Sequence, residues 1–128
     1  MKAATSDWIE KAEGDYLAAK ALARRRKIPL HDQVCFHCQQ SAEKFLKARL
    51  QEAGIPYPKT HDLEVLLKLA LQVEPLWMAM RPALRSLVGF AVEFRYPGAF
   101  ALERDAIQAL THAKLVRQET RYALGLPA

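Results

Sequence analysis

Cys35-Phe36-His37-Cys38-Gln39-Gln40-Ser41-Ala42-Glu43-Lys44-Phe45-Leu46-Lys47-Ala48 is the stretch on which the fold turns. It contains no glycine and no proline, so nothing in it interrupts a helix. Val34, Cys35, Cys38, Ala42, Phe45, Leu46 and Leu50 form one apolar arc at ~100° per residue. This helix is expected from about Asp32 to Ala53, with Gly54 suited to the left-handed residue that closes a helix. The other side is polar. His37, Gln40 and Lys44 fall within about 60° of one another on a helical wheel. Gln33 and Gln51 continue that strip, and Lys47 flanks it.

Toward the N-terminus, the periodicity predicts a first helix from Ser6 or Asp7 to about Arg26. Trp8, Ala12, Ala19 and Ala23 share one face, with Ile9 and Tyr16 on its flank. Arg24, Arg25, Arg26 and Lys27 fall in its last turn, and Pro29 stops it. Toward the C-terminus, Pro56 and Pro58 stiffen a loop from Ile55 to Thr60. Thr60 is placed to cap a third helix from His61 to about Gln72, with Asp62 and Glu64 in its first turn. A fourth helix runs from Pro75 to about Phe94, kinked or broken at Pro82. Arg95-Tyr96-Pro97-Gly98 reads as a turn, and a last helix runs from about Leu102 to Leu124. No stretch alternates as a half-buried strand does. The expected fold is all-α: an up-and-down antiparallel bundle of four to five helices in one domain, 1–128.

Hydrophobic residues make up 51% of the 128, enough for a core without disulfides or a metal staple. No run approaches the ~18 apolar residues of a membrane helix, and Met1 to Glu10 has no apolar signal segment. With only two cysteines, a secreted disulfide scaffold is not expected, and a reducing cytoplasm is. The net charge of +5 permits phosphate-bearing partners without requiring them. Phosphate-loop, nucleophile-elbow and His-Glu-x-x-His patterns are all missing.

Cys35 and Cys38 have the spacing of a zinc or redox pair. A second pair to complete a zinc site is lacking, as is a βαβ context for redox chemistry, so both thiols are expected to pack in the core. No metal and no cofactor are expected. The strip of His37, Gln40 and Lys44, flanked by Lys47, presents donors that suit a phosphate or a base edge; without a ligand it is a solvated helix face. Phe36 points away from the apolar arc, which suggests contact with a second copy of the chain. His61, after Lys59 and Thr60, is either part of an anion site or a capping residue. The cations from Arg24 to Lys27 suit an RNA backbone or plain solvent. Arg81 and Arg85, one turn apart, suit solvent or a salt bridge.

Residues 35–48 resemble the signature on the second helix of the HEPN family: an aromatic residue, His, a small residue, two Gln, then Ala-Glu-Lys and a later Lys. Thr60-His61-Asp62-Leu63 with Leu66-Leu67 is similar to the next block of that family, and Phe94-Arg95-Tyr96-Pro97-Gly98 to its Arg-Tyr-Pro block. Asp105, Ala106 and Ala109 resemble its last helix. The order holds from Trp8 to Leu124. The resemblance implies a helical bundle that pairs into a homodimer. It also implies a partner, a minimal nucleotidyltransferase, in a toxin–antitoxin arrangement. Many such proteins are metal-independent ribonucleases whose motif is Arg, four to six residues, then His. There the Arg would hold the scissile phosphate, and the His would move a proton.

This chain departs from that motif. After Arg95 the next histidine is His112, and seven residues separate Arg104 from His112. Arg24, Arg25 and Arg26 have the required spacing to His31, but they lie between the first and second helices rather than late in the bundle. The expected function is therefore a nucleotide- or RNA-binding subunit that is not itself catalytic. His37, Gln40, Lys44 and Lys47 are its expected binding residues, joined by His61 and Arg95. A ribonuclease with an altered site and a dimeric interaction module without ligand are the alternatives.

Overall fold

A computed structural model describes all residues, 1–128. It contains five α-helices and one 3-10 turn, with no strand. Helix α1 spans Ala3–Ala23, α2 His31–Ala53 and α3 Leu63–Ala70. The 3-10 turn Pro75–Met80 leads directly into α4, Arg81–Glu93, and α5 spans Glu103–Ala123. The all-α bundle expected from the sequence is the observed fold.

Helix α2 is the axis of the molecule, packed against each of the other four helices. Its largest interface is with α1, and small side chains allow the close approach. Ala12 and Ala19 of α1 and Ala42 and Ala48 of α2 are fully buried, and the Ser41 hydroxyl donates to the Ala12 carbonyl at 3.0 Å. Thr5 bonds Glu52 while His37 bonds Asp15, so the two helices run antiparallel. Helix α2 starts beside α5, because the Ala101 amide donates to Asp32 at 2.6 Å. The chain returns to that end through α3 and α4. Phe45, Leu46, Leu50, Leu63, Leu66, Leu84 and Leu87 fill the centre without exposure. No helix is long and apolar enough to cross a membrane.

The element boundaries differ from expectation for local reasons. Helix α1 begins at Ala3, before Ser6 and Asp7, where the backbone of Lys2 serves as cap. It ends at Ala23 with Arg24 as its C-cap, so Arg25 to Lys27 lie beyond the helix rather than in its last turn. Asp62, not Thr60, caps α3 by accepting from the Glu64 amide at 3.0 Å; Thr60 supports it by accepting from the Asp62 amide. The break expected at Pro82 falls just before it, between the 3-10 turn and α4. The proline occupies the first turn of α4, where a missing N–H costs nothing, and the 3-10 turn absorbs the change of direction. Gly54 closes α2 at φ 70°, and the Ile55 amide bonds the Leu50 carbonyl in the pattern of a left-handed cap.

Ile28 is the one residue other than glycine with positive φ, at 52°. A β-branched residue there is strained by about 1–2 kcal/mol. Its side chain is exposed and returns little packing energy. Ile28→Gly is expected to stabilise the protein by about 1 kcal/mol and raise the thermal midpoint by about 4 °C, since glycine adopts this conformation freely. A lower midpoint in differential scanning calorimetry would show that the exposed isoleucine packs against something.

Candidate functional site

The polar side of α2 is divided among three neighbours. His37 and Lys44 turn toward α1, where both reach the Asp15 carboxylate; His37 Nδ1 lies 2.8 Å from Asp15 Oδ1. Lys47 is buried, its ammonium 3.0 Å from Glu43 Oε2 and 5.4 Å from the centre of the Trp8 ring. Glu43 is buried as well, and its other oxygen reaches His61 Nδ1 at 2.8 Å. A carboxylate only accepts, so Nδ1 carries the proton in this pair, and Nε2 has no partner within the protein. Gln39 completes the clamp by donating to the His61 carbonyl at 3.0 Å. The His61 side chain nonetheless stays 76% exposed. It is held by its inner edge and presented by its outer one.

Gln40, His61 and Arg95 meet elsewhere. They line a groove of about 420 Å³ between α2 and α4, with Phe36, Gln39 and Val88 among its other walls. Phe36 is 51% exposed, and Gln40 donates to the Gln39 side chain. Arg95 forms none of the ion pairs in the molecule, whereas Arg49, Arg81, Arg85, Arg117 and Arg121 each have a carboxylate within 4.0 Å. It therefore presents an uncommitted cation to the groove. Asp62 also borders the groove, but its carboxylate is occupied as the cap of α3.

Of the six residues expected to bind, the structure thus brings three into one groove and commits the other three to ion pairs. Gln39 and Glu43, which hold His61 in place, were not singled out from the sequence. The i,i+4 spacing of Glu43 and Lys47 signalled one of their bonds; the bond to His61 spans 18 positions and has no local signal.

Cys35 and Cys38 are buried free thiols, and burial pushes both up to about 12. Neither belongs to a group of three or more potential metal ligands. His112 on α5 is half-buried with an unpartnered Nε2, and desolvation lowers its pKa. It does not line the groove.

A five-helix bundle with an open groove of mixed aromatic, amide, imidazole and guanidinium character is the class of protein these features define. The sequence profile of the HEPN domain matches residues 5–122, and the chain belongs to the HEPN family. The crystal structure of an archaeal HEPN homologue is similar, with a TM-score of 0.71 and 26% identity over 96% of this chain and 98% of the homologue. No curated protein matches the sequence.

Proposed function

We propose that this protein is a nucleotide- or RNA-binding subunit that works beside a small nucleotidyltransferase and uses the groove between α2 and α4 as its binding site. The observation that carries this reading is the unpaired Arg95 in a groove shared with Phe36, Gln40 and His61. A free guanidinium suits a phosphate, an aromatic edge and an amide suit a base, and His61 Nε2 suits a ribose hydroxyl. Family membership supports the same ligand class and the same partner. A homodimer through Phe36 belongs to this reading, because a second copy seated there would border the groove.

Arg95→Ala is expected to weaken binding of a nucleotide such as AMP at least tenfold, because a lost charge-assisted bond removes about 1.5–3 kcal/mol. Its thermal midpoint should stay within about 1 °C of the parent, since the side chain is exposed and unpaired. Lys44→Ala should behave differently. Its ammonium is committed to Asp15, so the change should lower stability and leave nucleotide affinity nearly intact. Isothermal titration with equal losses for both variants would return the site to the α2 strip.

One observation favours a catalytic alternative. The Glu43–His61 pair leaves Nε2 without a protein partner in the same groove as Arg95, so a His and an Arg border one groove although the sequence does not place them at the family spacing. If purified protein cleaves RNA and His61→Ala abolishes the cleavage, this alternative replaces the non-catalytic reading.

A further inference from the structure

The groove does not end at Arg95. A second depression of about 190 Å³ shares Phe36, Ala91 and Arg95 with it, and adds Asp32, Phe90 and Phe94. A third, of about 300 Å³, shares Asp32 with the second and continues over His31 and Gln33 to Pro29 and Phe100. The three adjoin as one furrow along the N-terminal half of α2. Beyond Pro29 stand Arg24, Arg25, Arg26 and Lys27. All four are exposed and none takes part in an ion pair. No acidic residue occurs between Asp15 and Asp32, so this segment of the chain carries its positive charge with no carboxylate of its own.

We infer that the furrow and the cationic loop together bind a single strand of nucleic acid, running from His61 past Arg95 and Phe100 to residues 24–27. This rests on the groove reading above and extends it from a nucleotide to a strand. Three features support it. Phe100 stands on the path 75% exposed, and an exposed ring beside a basic track suits a stacked base of any sequence. Cations stand at both parts of the path, Arg95 in the furrow and the run at its end. The one carboxylate in mid-furrow, Asp32, accepts from the Ala101 amide at 2.6 Å and is turned to the protein. From Gln40 to His31 the helix is about 14 Å long, room for about four nucleotides stacked at ~3.4 Å, with the cationic loop beyond.

The test uses fluorescence anisotropy with UMP and with labelled oligouridylates of two, four, eight and twelve nucleotides. Affinity should rise with length up to about eight nucleotides and then level off. The double variant Arg25→Ala, Arg26→Ala should weaken the eight-nucleotide strand at least tenfold. It should leave the dinucleotide unchanged, and make the log–log salt slope shallower by about 1.4. Phe100→Ala should weaken the longer strands only. If the dinucleotide binds as tightly as the eight-mer and the double variant is silent, the strand inference falls while the groove reading stands, provided Arg95→Ala still weakens the short ligand. If no length binds, both fall. Binding to phosphatidylserine vesicles through Arg25 and Arg26, without binding to oligouridylate, would overturn the inference in favour of a lipid surface.

Discussion

Glu43→Ala is expected to remove about 3–5 kcal/mol of folding stability, a large part of the ~5–15 kcal/mol that a domain of this size commands. The loss follows from what is left behind. Glu43 and Lys47 are both buried, at 3% and 7% relative exposure, and the carboxylate lies 3.0 Å from the ammonium. Without Glu43, Lys47 stays under Trp8 with a charge and no counterion. Urea denaturation should show the midpoint falling with little change in slope. Glu43→Gln should lose less, because an amide oxygen still accepts from Lys47 or His61. The double variant Glu43→Leu, Lys47→Met removes both charges and should recover most of the loss. If Glu43→Ala costs under about 1 kcal/mol, Lys47 reaches water more easily than the structure indicates, and the pair is not the anchor described above.

Phe45→Ala should cost about as much, 3–5 kcal/mol, by a different route. Phe45 is fully buried on the helix that touches every other helix. Its removal empties part of the core cluster and leaves a cavity that a closely packed bundle closes poorly. Phe45→Leu keeps more of the volume and should lose less. The two variants separate in one respect. Phe45→Ala should leave the charge network of Asp15, His37 and Lys44 intact, so its deficit should be nearly insensitive to salt. A deficit for Phe45→Ala near zero would mean that the core rearranges around the hole.

The helices and their apolar faces were legible in the sequence because a helix writes its period into neighbouring positions. The site was only partly legible, and α2 shows why. A polar strip on a helical wheel is taken to face water, yet α2 is covered on that side too. Asp15 on α1 supplies the charge that lets His37 and Lys44 lie against a neighbour, and Glu43 does the same for Lys47 and His61. Periodicity cannot distinguish a solvated polar face from one matched by another helix. Arg95 and His61 were picked out by motif, but their meeting in one groove depends on the crossing of α2 and α4, which no local pattern records. The break at Pro82 was legible to within two residues. The proline was read correctly as a helix breaker, but the break precedes it.

The two buried thiols make the protein its own timekeeper. Only a thiolate attacks an alkylating reagent, and Cys35 and Cys38 are neutral and enclosed at any ordinary pH while the bundle is closed. Both sit on the axial helix, one of them fully inaccessible, so neither is reached by fraying at a chain end. Modification must therefore wait for α2 itself to come away from its neighbours. The speed at which the chain takes up a thiol reagent measures how often α2 is uncovered, and does so without any label being built in.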